Sequence, residues 1–382
     1  MKLPKSILYI NFAPYDNAGM IRDYLIDRYY YVFHFSFNFH YLQGSENSSS
    51  LTVYKKGKKT SKSLIFQILP HPKLTFVMLP IRSVVFLIEI IIYTYVLKKK
   101  YGEVDDYFTV NAFTAWCGLI LKKLRLVKRT IFWVWDYYPP KHKSRTITLM
   151  RWAYWQFDKL ATHSDKLIFL NHKLEDLRKK IRIIPFGRNY PIIGIGTNVL
   201  KCRHQHKNVS LLFIGVLKRS QGLDLLIDNS HVIKKHFRDI EVHIVGSGPD
   251  ENYYKTKALG AAIPFIFHGL MDLYSKKAME IIKNTNIGIA PYKPEPGNVS
   301  YYGDPSKIKN YLSFGLPVIT TNVFEFSEII RTSGAGEIIP YKLEPFLNSI
   351  QKIISNYGQY SVLARSLAQK YYYAKYYDKM FA

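Results

Sequence analysis

Asp304, Pro305, Ser306 and Lys307 stand together at the start of a run whose apolar residues recur with a helical period and which ends at Gly315. Their types suit the opening of a helix. Asp304 is a capping residue, and Pro305 fits a first helical position, where its missing N–H costs nothing. Ser306 and Lys307 then fall in the first turn. A helix start offers free amide N–H groups and the positive end of the helix dipole, which attract phosphate. A lysine or serine there adds a direct donor to phosphate oxygens. An ordinary capped helix with a solvated lysine would carry the same residues.

Three other groups of residues could do chemistry. Gly246-Ser247-Gly248-Pro249 follows an apolar run, Glu241–Val245. Alone it is a turn. Asp136 closes the apolar run 130–135, within Trp135-Asp136-Tyr137-Tyr138-Pro139-Pro140. A carboxylate at a strand end either faces a cleft or caps the next element. His163 and Asn171 are weaker candidates of that kind. Cys202, His204 and His206 form a Cys-x-His-x-His cluster, but a closed zinc site needs a fourth ligand.

The elements that must position these residues alternate. Short apolar runs are predicted as strands at 6–11, 107–110, 130–135 and 166–170, with helices at 19–30, 113–124, 148–161 and 174–180. Residues 183–188 read as a last strand and turn. The polar, lysine-rich stretch 44–63 reads as an exposed loop. A polar, irregular segment, 194–207, marks a linker. The alternation then restarts, with strands at 209–214, 241–245, 265–268, 287–290 and 317–320. Helices are predicted at 223–236, 271–283, 306–314 and 345–377. Such alternation builds βαβ units and parallel sheets. The fold class is α/β, with two doubly wound, Rossmann-like halves. Open α/β sheets bind ligands beyond the carboxyl ends of their strands.

The 382 residues suffice for two or three domains and include 48% apolar and 21% charged residues, which excludes a disordered chain. The net charge is +26, and residues 1–207 hold 34 of the 54 Lys and Arg but only 13 of the 28 Asp and Glu. One half therefore carries most of the excess, which suggests an anionic partner. No aromatic RNA-binding motif or zinc-finger spacing accompanies that charge, so nucleic acid is not expected. Two distant cysteines, Cys117 and Cys202, provide no disulfide framework and fit a reducing compartment. The basic start leads into a first strand rather than a secretory signal. The most apolar stretch, 74–97, is interrupted by Pro80, Arg82 and Glu89. It reads either as a buried helix of the first domain or as a helix lying in a membrane interface, with Lys98, Lys99 and Lys100 among the headgroups.

Five blocks in order give residues 208–382 a resemblance to the donor-binding domain of family 4 glycosyltransferases. These are 213–224 (Phe-Ile-Gly-Val-Leu-Lys-Arg-Ser-Gln-Gly-Leu-Asp), Ile244-Val245-Gly246-Ser247-Gly248-Pro249, Phe267-His268-Gly269, Ile289-Ala290-Pro291-Tyr292 and the Asp304-Pro305-Ser306-Lys307 segment. The resemblance implies a GT-B fold, with two Rossmann-like domains facing a central cleft. It implies an acceptor-binding domain at 1–195, a linker at 196–207 and a nucleotide-sugar-binding domain at 208–365. A C-terminal helix at 366–382 would pack back on the first domain. It implies retaining sugar transfer from a nucleotide sugar, with no cofactor and no metal. Gly215, Lys218 and Arg219 are expected at the donor diphosphate, with Ser306 and Lys307 on its other side. Gly246, Ser247, Gly248, His268, Gly269 and Leu270 are expected near the nucleoside, and Tyr301, Tyr302 and Gly303 beside the sugar. Asp136 is the expected acceptor-side residue. The paired glutamates of many relatives are absent: aligned on Gly315, Tyr302 and Asn310 take their places. Gln221 stands where many relatives have lysine, leaving Lys218 or Arg219 to supply that charge. A non-catalytic carbohydrate or assembly protein of this fold, and a sugar-nucleotide epimerase, are the alternatives. The basic first half suggests a lipid-linked or cell-surface glycan precursor as acceptor. It also suggests a cytoplasmic protein on the inner face of a bacterial plasma membrane.

Overall fold

The computed structural model describes residues 6–12, 15–38, 49–65, 75–200, 202, 208–295 and 298–382. The chain divides into two compact units, Met1–Gly194 with Tyr377–Ala382, and Ile195–Tyr376.

The first unit runs β1 (Ser6–Phe12), α1 (Ile21–Arg28), β2 (Tyr31–Phe37), β3 (Ser50–Lys55), β4 (Lys58–Leu64), α2 (Thr75–Tyr101), β5 (Val104–Thr109), α3 (Ala112–Lys123), β6 (Val127–Val134), α4 (Arg145–Ala161), β7 (Lys166–Phe169) and α5 (His172–Lys180). Its sheet has the order β4-β3-β2-β1-β5-β6-β7. β1, β2, β5, β6 and β7 are parallel. β3 and β4 add an antiparallel edge. β1 is buried over almost its whole length, as expected for a strand covered on both faces. α2, α3 and α4 form one layer, with the Phe113 ring 5.7 Å from Phe86 of α2 and 5.1 Å from Phe157 of α4.

Several expectations are corrected here. The first helix spans 21–28, not 19–30, because Gly19 and Met20 adopt left-handed φ of 64° and 63°. The part of the expected 44–63 loop that is described is a hairpin turning at Lys56 and Gly57, with φ of 48° and 77°; residues 44–48 lie outside the described residues. All seven residues of β4 are exposed, so no burial alternation marks it as a strand. Residues 183–188 are turns, not a strand. Ile192 instead bridges Phe169.

The second unit runs β8 (Ser210–Ile214), α6 (Asp224–Ile227), α7 (Ser230–His236), β9 (Glu241–Val245), α8 (Glu251–Ala258), β10 (Phe265–Gly269), α9 (Lys276–Lys283), β11 (Ile287–Ala290), α10 (Ser306–Phe314), β12 (Val318–Thr321), α11 (Phe326–Ser333), β13 (Gly336–Ile339), α12 (Leu343–Ser355), α13 (Tyr357–Lys370) and α14 (Tyr373–Tyr376). A last short helix, α15 (Asp378–Phe381), belongs to the first unit, where Tyr377 donates to the Gly19 carbonyl at 2.9 Å. The predicted helix 223–236 is broken around Asp228 and Asn229, 271–283 starts only at Lys276 behind the Ser275 cap, and 345–377 is three helices, with Pro345 third in α12 rather than first. The sheet is wholly parallel, in the order β10-β9-β8-β11-β12-β13. Counted from its first strand this is 3-2-1-4-5-6, the doubly wound dinucleotide-fold order. Its direction reverses between β8 and β11, so that crevice is the place to look for a ligand.

Candidate functional site

At the reversal point the sheet is held open by one side chain. β8 and β11 pair only at Leu211 with Ile287 and Leu212 with Gly288. Beyond that, the Tyr311 hydroxyl accepts from the Ile214 N–H at 2.7 Å and donates to the Ile289 carbonyl at 3.0 Å. The Tyr311 ring lies where a Cβ on Gly288 would meet it at 2.3 Å, so only glycine at 288 admits it. Tyr311 satisfies backbone groups that the diverging strands would otherwise leave buried and unpaired.

The strand ends form a floor without side chains. Gly215 follows β8 and Gly246 follows β9, with φ of 136° and 142°. A Cβ on Gly246 would lie 2.0 Å from the Gly215 carbonyl oxygen, and one on Gly248 2.5 Å from the Leu217 amide nitrogen. The loops interlock through Gly215 N–H to Val245 O (2.9 Å), Leu217 N–H to Ser247 O (3.0 Å) and Gly246 N–H to Gly269 O (2.8 Å). Such close backbone packing at strand ends is what a phosphate-binding turn needs.

Lys307 enters above this floor. A Cβ on Gly215 would come within 3.0 Å of its Cε and Nζ. The lysine is buried, its Nζ 4.2 Å from the centroid of Phe213 and 4.7 Å from that of Tyr292, and it donates to Gln221 Oε1. Burial pulls its pKa from the ordinary value near 10.5 down to about 7. Lys307 and Tyr311 are one turn apart on α10, so a single helix supplies both the cation and the strand spacer.

α10 does not open as expected. It starts at Ser306, with Pro305 at the capping position and no side-chain cap. Asp304 instead accepts from the Ile195 N–H and from the buried Lys309 ammonium. That pair ties the start of the helix to the first residue of its unit. Ser306 is exposed in the first turn.

The structure brings Gly215, Gly246, Ser247, Gly248, Gly269 and Lys307 together. Arg219 is held elsewhere: its guanidinium stacks 3.9 Å from the Tyr253 ring centroid, and its backbone N–H donates to the Asp250 carboxylate at 2.9 Å. Lys218 is exposed beside it. The cation at Gln221 is thus Lys307. On β10, His268 bonds His243 at 2.9 Å, whose other nitrogen meets Glu241 at 2.9 Å. Burial, then His243, then Lys277 lower the pKa of His268. Leu270 is exposed. Tyr301 and Tyr302 pack ring to ring at 5.1 Å in a short 3-10 turn, 299–302, ahead of Gly303. Phe213, Gln221, Tyr292 and Tyr311 were missed as site residues. The helical spacing of Lys307 and Tyr311 was a signal for the last.

In the first unit, Asp136 follows β6. Burial raises its carboxyl to about 6, against the opposing pull of Arg178. Arg178 is fully buried, pairs with the fully buried Asp158 at 2.9 Å, and donates to the Asp136 carbonyl oxygen at 3.1 Å. Asn171 caps α5 through Leu174, and His163 bonds Leu160 O at its helix end; both are structural. Cys202 is buried, while His204 and His206 lie outside the described residues. Among the described residues no group of three potential ligands could hold a metal.

The two parallel-sheet units define the GT-B fold. Residues 208–356, which hold the glycine floor and Lys307, match the sequence model of the family described as Glycosyl transferases group 1. Similar solved structures include sucrose-phosphate synthase from Thermosynechococcus elongatus, with a TM-score of 0.63 at 16% identity over 99% of this chain and 96% of that one. HepE from Anabaena in complex with UDP has a TM-score of 0.60 at 12% identity over 96% and 95%. WaaG, a glycosyltransferase involved in lipopolysaccharide biosynthesis, has a TM-score of 0.52 at 15% identity over 75% and 92%. No curated protein matches the chain by sequence.

Proposed function

We propose that the chain is a glycosyltransferase that moves a sugar from a nucleotide-sugar donor to an acceptor hydroxyl, with retention and without a metal. The observation that carries this reading is the bare glycine floor at the β8/β11 reversal with Lys307 buried above it. The bond from the anomeric carbon to the diphosphate oxygen breaks, and the acceptor oxygen takes its place at that carbon. The diphosphate leaves with the bonding electrons, and the acceptor hydroxyl passes its proton to the departing diphosphate oxygen. Lys307, the start of α10 and Gly215 meet the growing negative charge, an electrostatic contribution worth roughly 10²–10³ in rate per donor. Lys218, exposed at the loop edge, adds to the positive potential there. Asp136 serves the acceptor side. We place the acceptor, a lipid-linked or cell-surface glycan precursor, at an anionic membrane face reached from the cytoplasm.

The test is thermal stabilisation by UDP-, GDP-, ADP- and dTDP-linked sugars. UDP leads, because the HepE structure holds it. A nucleotide at a hundred times its Kd adds about 2.7 kcal/mol. Stabilisation by one nucleotide supports the donor site. Folded protein that none of them stabilises refutes it and favours a non-catalytic role, a reading the missing glutamate pair also motivates. Turnover of a bound nucleotide sugar without acceptor favours an epimerase.

A further inference from the structure

α2 is long and apolar enough to cross a membrane by length and composition, yet one of its faces is already taken. Phe86, Ile90 and Leu97 are buried in the core over the first sheet, and buried Arg82 donates to the Asn38 carbonyl at 2.6 Å. A helix that roofs a sheet cannot also be ringed by lipid.

Among the described residues the opposite face has no such cover. Ile81, Val84, Ile88, Ile92, Tyr95 and Val96 are each 51–59% exposed. Their spacing keeps them on one side of the helix, as a stripe about 22 Å long at 1.5 Å per residue. On α4, in the same helical layer, Leu149 and Trp152 are also exposed. Isolated surface apolar residues are ordinary, but a contiguous stripe marks an interaction face.

What surrounds the stripe selects its partner. α2 ends in Lys98, Lys99 and Lys100. The Tyr101 ring lies 5.2 Å from Tyr31, and the Lys55 ammonium sits 5.6 Å from that same Tyr31 ring. The exposed hairpin turn with Lys55, Lys56, Lys58 and Lys59 therefore meets the end of α2, joining two lysine clusters far apart in sequence. An apolar stripe ending in a basic cluster is how an interfacial helix lies on an anionic bilayer, its side chains among the acyl chains and its lysines at the headgroups. An apolar protein partner would leave those lysines unmatched.

We propose that the outer face of α2, with the lysines of its end and of the β3–β4 turn, docks the protein in plane on an anionic lipid surface. This rests on the membrane placement proposed above, not on the donor site. The full chain is mixed with vesicles of phosphatidylcholine alone and of phosphatidylcholine with phosphatidylglycerol. Partition is expected roughly tenfold or more tighter on the anionic vesicles, weakening as salt screens the lysines. The double variant Val84→Glu, Ile88→Glu is expected to melt as the wild type does and to lose that advantage. Replacing Lys98, Lys99 and Lys100 by glutamine is expected to weaken binding and flatten its salt dependence. Wild type that ignores anionic vesicles overturns both this surface and the membrane placement. Variants that bind as wild type does overturn the surface alone. A wild-type dimer that the double glutamate variant separates, with no vesicle binding, makes the face a contact between copies and overturns the proposal.

Discussion

Lys307→Met tests the donor site where its physics is most exposed. Methionine keeps an unbranched stem between Phe213 and Tyr292 but removes the charge. A fall in the lysine pKa from 10.5 to about 7 corresponds to about 5 kcal/mol, at about 1.36 kcal/mol per pH unit. The sign follows from which state holds the proton. Below about pH 7 the lysine is charged in both the folded and the unfolded chain, and burial of the charge opposes folding by the full amount. From pH 7 to 10.5 the folded chain holds it neutral while the unfolded chain still binds the proton, so the penalty shrinks as pH rises. Above 10.5 it is gone. Loss of the Gln221 hydrogen bond and of two ring contacts offsets roughly 2–3 kcal/mol. The methionine variant is therefore expected to be more stable than wild type by about 2 kcal/mol near pH 6, or roughly 4–8 °C in Tm for a unit of this size. The advantage should vanish near pH 9 and turn into a deficit toward pH 10, where the lost contacts exceed the remaining penalty. The same variant should lose most of its stabilisation by the cognate nucleotide sugar if the charge that opposes folding is the one that meets the diphosphate. Wild-type binding near pH 8 should take up a proton, visible by calorimetry in buffers of different ionisation enthalpy. A variant that melts below wild type at pH 6, or one that binds donor as tightly as wild type does, refutes the reasoning.

Two further outcomes concern the first unit. If Asp136 acts on the acceptor in its ionised form, kcat/KM should rise through an apparent pKa near 6, the value to which burial raises it; Asp136→Asn should lower the rate roughly a hundredfold or more and remove that limb. Asp158→Asn should destabilise the protein by roughly 3–5 kcal/mol in chemical denaturation, because it leaves the fully buried Arg178 guanidinium without its counter-charge. Unchanged stability would show that Arg178 finds other compensation.

The alternation of apolar runs with amphipathic segments was enough to read most of the parallel strands, because strands buried on both faces are continuous apolar runs; β2, whose His34 and Ser36 interrupt its apolar run, and the four-residue β13 went unread. The β3–β4 hairpin was lost for the converse reason. β4 is an exposed edge of lysine, serine and threonine, and its pairing depends on β3, which residue-by-residue polarity cannot convey. The break before α1 was also silent: the left-handed conformation of Met20 is not signalled by its residue type. In the candidate site, the glycine spacing and the presence of a helix from Ser306 were legible because they are local, while the way that helix is capped was not. What Asp304, Gln221 and Tyr311 do was not, since each acts on a partner far along the chain.

Asp304 and Gln221 also show how the site differs from what its motif suggests. An aspartate two residues ahead of a helix is expected to cap it, yet here it neutralises Lys309 and leaves the helix start without a side-chain cap. Gln221 offers a carbonyl oxygen to Lys307 where a second ammonium would repel it. With one cation buried over the glycine floor rather than two, the empty site carries less unfavourable charge, and more of its positive potential must come from the backbone amides at the start of α10. Those amides cannot be titrated away. The donor site should therefore keep part of its affinity for diphosphate above pH 7, where Lys307 alone would be mostly neutral, and the bound diphosphate would itself draw the proton back onto Lys307.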